Sequence, residues 1–132
     1  MKFEIGEVAR RAGVRASAVR YYEKQGLISP ERGNGGRRVF TSEAVERIAL
    51  IRYAKALGFS LTDVRRLLTG YADDTPAGVR WSELAAAKLV EVEALLKRVE
   101  GMRSGLRRIS GCRCRDLAQC AHAIAAKSCG EA

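Results

Sequence analysis

The chain has 132 residues, a formal net charge of +9, four cysteines and one histidine. That length suits one ordinary domain, or a small domain with an extended appendage, and no run approaches the ~18 apolar residues of a membrane span. The basic excess is uneven, with 14 Lys/Arg against 7 Asp/Glu in residues 1–70 and 10 against 8 in residues 71–132.

In chain order, Ile5-Gly6-Glu7-Val8-Ala9-Arg10-Arg11-Ala12-Gly13-Val14, followed by Ala18-Val19-Arg20-Tyr21-Tyr22-Glu23, predicts a helix, a glycine turn and a second helix. Val8, Ala12, Val14, Ala18 and Val19 supply a buried side, leaving Arg10, Arg11, Arg15 and Arg20 outside. This is the helix-turn-helix arrangement, in which one short helix braces another against the major groove. A net basic first half agrees with it, because neutralised phosphates release counterions and drive association. Adjacent helical residues cannot share a face, so one of Tyr21 and Tyr22 either reaches outward with Arg20 or packs into the core.

Gly26-Leu27-Ile28-Ser29-Pro30 ends the second helix. The Asn34-Gly35 turn signal, followed by Gly36-Arg37-Arg38-Val39-Phe40, predicts a two-stranded wing tipped with guanidinium groups. Thr41 is positioned to N-cap a third helix with Glu43 near its positive end. That helix keeps apolar spacing through Val45, Ile48, Ile51 and Leu57 to a stop at Gly58. Ser60-Leu61-Thr62-Asp63 resembles a capping box opening a fourth, short helix.

The expected domains are therefore a winged helix-turn-helix over 1–70, an acidic linker over 71–79, a long helix over 80–110 and a cysteine-containing tail over 111–132. In the long helix Ala85, Val92, Val99 and Leu106 fall seven apart, with Trp81, Lys88, Leu95, Met102 and Ile109 between them. About 30 helical residues span roughly 45 Å. An apolar stripe that long, with no partner helix left in the sequence, asks for a second chain. The alternative is a helix folded back on its own N-terminal domain. Trp81, Val92, Leu95, Val99, Met102 and Leu106 are the candidate dimerisation residues.

The tail reads Cys112-Arg113-Cys114-Arg115-Asp116-Leu117-Ala118-Gln119-Cys120-Ala121-His122, with Cys129 beyond. No secretory pattern opens the chain, so a cytoplasmic location is expected, where clustered cysteines favour metal or redox chemistry over structural disulfides. Three thiols this close can wrap a soft cation such as Cu(I), Hg(II) or Zn(II), or take part in an iron–sulfur cluster. Arg113 and Arg115 favour the thiolate forms beside them. Cys112, Cys114 and Cys120 are the main candidate ligands, with His122 and Cys129 as secondary ones. An enzyme is not expected, since there is one histidine, no glycine-rich phosphate loop and no carboxylate pair set apart from helix surfaces.

Taken in order, Ile5-Gly6-Glu7-Val8-Ala9, Gly13-Val14, Val19-Arg20-Tyr21-Tyr22-Glu23, Gly26-Leu27-Ile28, Gly36-Arg37-Arg38-Val39-Phe40 and Ile51-Arg52-Tyr53-Ala54-Lys55-Ala56-Leu57-Gly58-Phe59-Ser60-Leu61 resemble the MerR family of transcription regulators. The resemblance implies a mainly α fold: a winged helix-turn-helix DNA-binding domain, an antiparallel coiled-coil homodimer and a C-terminal effector site. It further implies binding to a pseudo-palindromic operator in double-stranded promoter DNA, and activation by distorting that DNA for RNA polymerase. Arg20, Tyr21 and Tyr22 match the family's main DNA contacts, Arg37 and Arg38 its wing, and Lys55 a phosphate contact. Arg15 and Ser17 complete the candidate DNA-binding set, with Arg15 standing where the family usually starts its recognition helix with a small hydroxyl residue. The gap from Cys112 to Cys120 is similar to the family's copper-type pair. The redox-sensing [2Fe-2S] branch carries C-x2-C-x-C-x5-C, whose last three positions fall on Cys112, Cys114 and Cys120 and whose first falls on Ile109. A directly bound thiophilic ion is the leading expectation. A [2Fe-2S] regulator, or an architectural DNA-binding protein without an effector, is the alternative.

Overall fold

The computed structural model describes residues 1–128, apart from the side chain of Asn34. Two units divide the chain, Met1–Lys88 and a second from Leu89 onward. In the first unit β1 (Lys2–Phe3) leads into α1 (Ile5–Ala12) and α2 (Ala16–Lys24), followed by β2 (Glu31–Arg32) and β3 (Arg38–Thr41). Then come α3 (Ser42–Ala56), α4 (Leu61–Thr69) and the start of α5 (Ala77–Ser110). The second unit holds the rest of α5 and α6 (Leu117–Ala125).

The first unit is built on two adjoining apolar clusters. Phe3, Val8, Val19, Ile28, Phe40 and Ile48 form one, joining the first two helices to the sheet. Leu27, Ile51, Ala54, Phe59, Val64, Leu67 and Leu84 form the other, joining α3, α4 and α5. The helix α3 serves both, through Ile48 in the first cluster and, further along the helix, Ile51 and Ala54 in the second. Tyr22 also packs against both, which answers the question its sequence position left open.

The wing has a third strand that the hydrophobic pattern did not announce. β3 pairs antiparallel with β2, Glu31 opposite Val39 and Arg32 opposite Arg38, and on its other edge with β1, Phe3 opposite Phe40. Strand alternation turns Phe3 into the core and Lys2 to solvent. The turn is also longer than a two-residue hairpin. The turn over Asn34–Gly36, in which Gly35 and Gly36 take left-handed φ of +77° and +75°, is closed by Gly33 N–H donating to Arg37 O at 2.8 Å and by Arg32 Nη1 donating to Gly36 O at 2.8 Å.

Helix entries differ in how they are capped. Ser60 and Asp63 form the expected capping box at α4, with Asp63 N–H on Ser60 Oγ at 3.1 Å and Ser60 N–H on Asp63 Oδ2 at 3.0 Å. Thr41 does occupy the N-cap position of α3, but its side chain accepts no capping bond, and its backbone is extended because it pairs with Lys2 in the sheet. Arg15 precedes α2 without a side-chain cap.

The stretch expected as a linker is pinned down. Arg80 donates to the carbonyls of Leu67, Ala72 and Thr75 at 3.0, 3.2 and 3.1 Å, and the Arg66 and Arg80 guanidinium groups both lie over the Tyr71 ring, 5.4 and 5.6 Å from its centroid. α5 accordingly starts at Ala77, earlier than the apolar repeat suggests. Trp81, on its first turns, packs edge-on to Tyr53 and tilted against Phe59, with ring centroids 5.9 and 6.0 Å apart. Among the described residues no helix is long and apolar enough to cross a membrane.

Candidate DNA-binding surface and thiol centre

On α2, Ser17, Arg20 and Tyr21 are exposed and stand three and four residues apart, so they share one helix face. Lys24, exposed and seven residues past Ser17, falls on the same face. Sequence reasoning passed over Lys24, although the same 3.6-residue period that placed Arg20 also places it. Arg15 is exposed at the helix entry, and Lys55 is exposed in the last turn of α3. Tyr21 is 45% exposed. Tyr22 is half-buried and meets the Tyr21 ring edge-on at 5.9 Å. The pair thus divides into an outward hydroxyl and an inward ring that steadies it.

The wing arginines are held by carboxylates. Arg37 Nη1 is 2.8 Å from Glu4 Oε1, and Arg38 Nη1 donates to both Glu23 oxygens at 2.9 and 3.0 Å. On α1, Arg10 and Arg11 both bond Glu7, and the Arg10 hydrogen bond is the main cause holding the Glu7 carboxyl below its usual pKa. Arg15 and Arg20 make no ion pair among the described residues. These two therefore offer whole guanidinium groups to an anion, whereas Arg37 and Arg38 share theirs with an internal acid.

At the other end of the chain, α5 stops at Ser110, and Cys112 N–H donates back to Ile109 O at 3.0 Å. A short loop then leads into α6, whose N-cap is Asp116. Its carboxylate accepts from Gln119 N–H at 2.8 Å, and Gln119 Oε1 accepts from Arg115 N–H at 2.9 Å. These two bonds, the second to the N–H just before the N-cap, fix the loop against the helix that carries Cys120. Asp116-x-x-Gln119 is a capping-box spacing, legible in the sequence but overlooked beside the cysteines.

The fold gathers Cys112, Cys114 and Cys120 so that their three sulfurs lie within 4.8 Å of one another. Cys112 is exposed and the other two are half-buried, and Cys114 N–H donates to Cys112 Sγ at 3.5 Å. A soft cation with metal–sulfur bonds of about 2.3 Å holds trigonal thiolates roughly 4 Å apart, so the three sulfurs fit one ion with little movement. His122 is exposed on α6, two residues past Cys120 and so on a different face. The thiol group found among the described residues does not include it. Cys129 lies outside the described residues.

Along α5, Val92, Leu95, Val99, Met102 and Leu106 are all exposed in the second unit, while Trp81 is half-buried within the first. The surviving stripe is apolar and seven-spaced, as a partner helix requires.

Comparison with known proteins agrees with this layout. A family model described as MerR HTH family regulatory protein matches residues 3–71, and one described as MerR, DNA binding matches residues 45–109. The chain is 36% identical over 114 residues to the HTH-type transcriptional regulator ZntR of Escherichia coli strain K12, covering 85% of this chain and 81% of that one. It is 35% identical over 104 residues to the mercuric resistance operon regulatory protein of Bacillus cereus, covering 78% and 76%. The fold is shared with the transcription regulator PbrR691 of Ralstonia metallidurans CH34, solved in complex with lead(II), at a TM-score of 0.70 and 24% identity, over 97% of this chain and 94% of that one. The chain belongs to the MerR family, as a promoter-binding transcription regulator rather than an enzyme, and it carries a C-terminal triad of cysteines.

Proposed function

We propose that two copies of the chain pair along α5, bind a pseudo-palindromic operator, and respond to a thiophilic metal ion taken up by Cys112, Cys114 and Cys120. Cu(I), Hg(II) and Zn(II) are the ions this donor set suits. The single observation that carries the reading is the convergence of three sulfurs within 4.8 Å on a loop clamped by Asp116 and Gln119. Two similar proteins are named for mercuric resistance or were solved with lead(II), which supports a soft ion as effector. The exposed stripe from Val92 to Leu106 supports the homodimer, since an apolar strip of that length is poorly tolerated in water. Ser17, Arg20 and Tyr21, with Arg15, Arg37, Arg38 and Lys55, would hold the duplex, mostly through phosphates, positioning the protein for base contacts. Activation then consists of a change in the bound DNA that suits RNA polymerase.

A [2Fe-2S] cluster takes four thiolates; three are gathered among the described residues, and the first cysteine position of the family's cluster motif falls on Ile109, so a cluster would have to draw on Cys129, which lies outside the described residues. The test is anaerobic purification followed by elemental analysis and an absorption spectrum, with a promoter reporter in parallel. Expected are a colourless protein binding about one soft ion per chain, and a Cys112→Ser/Cys120→Ser variant that binds DNA but has lost its metal response. A red-brown protein containing iron and sulfide, or an undiminished response in that variant, overturns the reading.

A further inference from the structure

Glu23 is the most enclosed carboxylate among the described ion pairs, 19% exposed in its side chain against 49% for its partner Arg38. It stands on α2 directly after the inward-packed Tyr22, and Arg38 stands on β3, so the pair ties the wing to the recognition helix. One Nη1 of Arg38 spans both carboxylate oxygens at 2.9 and 3.0 Å. The guanidinium has five N–H donors, so several remain for an acceptor outside the protein.

We infer that Glu23 is a positioning residue for DNA recognition. It holds Arg38 at a fixed setting against α2, so that wing and helix meet the sugar–phosphate backbone together. The inference rests on reading Arg38 as a DNA contact. Two effects of this carboxylate oppose each other. Its negative charge repels phosphate, and counterion release alone makes any acid-to-amide change favour binding. Against that, an arginine fixed beforehand loses less rotamer freedom when it docks. Enclosure decides which effect dominates, because a shielded two-oxygen contact constrains Arg38 far more than an exposed pair could. The neighbouring Arg37–Glu4 pair shows the contrast at 2.8 Å, with side chains 76% and 63% exposed. Such an open pair imposes little order, and losing Glu4 should reveal the charge effect alone.

The experiment titrates five variants against a duplex selected by the wild-type protein from random-sequence DNA, using fluorescence anisotropy at several salt concentrations. Circular dichroism melts confirm folding. Glu23→Gln is expected to bind about fivefold more weakly at each salt concentration although it adds a positive unit of net charge, whereas Arg38→Ala should reduce the salt slope by about one. Glu4→Gln is expected to bind as tightly as wild type or tighter. Glu23→Gln/Arg38→Ala should be no weaker than Arg38→Ala. Arg38→Lys, which keeps the charge but not the fork, should weaken binding as Glu23→Gln does, and it serves if the latter folds poorly. Wild-type or tighter binding by Glu23→Gln, by Arg38→Lys, or a full Glu23→Gln loss on the Arg38→Ala background, overturns the positioning role. Wild-type binding by Arg38→Ala overturns it too, by removing the wing contact on which it rests.

Discussion

Asp63 joins the capping box of α4 to the side chain of Lys88, whose Nζ is 3.8 Å from Oδ2 and which lies over the Phe59 ring. The backbone N–H of Ser60, then its hydroxyl and the Lys88 ammonium, hold the Asp63 carboxyl below the usual aspartate pKa against the opposing effect of burial. A carboxylate with a depressed folded pKa contributes stability that is fully present above its unfolded value and is lost as pH falls through the folded one. The melting temperature should therefore decline on acidification below the ordinary aspartate range. Asp63→Asn should lower stability at neutral pH by about 0.5–1 kcal/mol, as loss of a negative charge near a helix N-terminus does, and flatten the acid limb; melts across a pH series check both. At this scale the capping box was readable from Ser60-x-x-Asp63. The Lys88 contact was not, since Lys88 sits on the dimer-type seam of the repeat and only packing brings it back to α4.

Among the helices, one stop recurs three times. α1, α2 and α3 each end in a glycine followed by an apolar residue, Gly13-Val14, Gly26-Leu27 and Gly58-Phe59. In each the apolar residue's N–H reaches back five residues to Ala9, Tyr22 or Ala54, while the glycine N–H bonds the carbonyl three residues earlier. This is the Schellman arrangement, in which a left-handed residue lets the next side chain fold under the helix end. Leu27 and Phe59 are buried there. Remaining carbonyls are taken by guanidinium groups from other helices: Arg52 on Ala12 O at 2.9 Å, Arg65 on Gln25 O at 2.8 Å and Arg47 on Leu27 O at 3.1 Å. At Gly13, φ is +70° and an added methyl would stand 3.2 Å from Arg52 Nη1. Gly13→Ala should accordingly lose about 1–2 kcal/mol, the left-handed penalty for an L-residue, and the midpoint of urea unfolding measures it. The glycines announced the stops. The arginines that seal the ends of α1 and α2 came from 20 to 40 residues away, beyond any local pattern, and in the sequence they count only as positive charge.

For the molecule as a whole, assembly is the property most open to test. Val99 is 49% exposed on the α5 stripe and Leu106 is 59% exposed, so a charge placed on the stripe costs the single chain little. Between two helices it would be buried without a partner, which costs several kcal/mol. Val99→Asp should thus leave the melting of the first unit nearly unchanged while shifting the protein from dimer to monomer in sedimentation analysis. Operator affinity should fall with it, because each head alone grips half a site. A variant that stays dimeric would place the pairing surface elsewhere.

The order of helices, the basic head, the seven-residue stripe and the cysteine cluster follow from spacing and composition, because each depends on neighbours within a turn or two of chain. Only the tertiary structure decided which tyrosine faces outward, that Phe3 adds a third strand, that Tyr71 and Arg80 fasten the supposed linker, and that Glu23 holds Arg38. Those outcomes depend on contacts between distant segments, where a side chain's role is set by whatever the fold happens to bring beside it. The three thiols show both sides. Their nearness in sequence was plain, but their convergence within 4.8 Å required the turn after Ser110 and the capped start of α6 to bend the loop back upon itself.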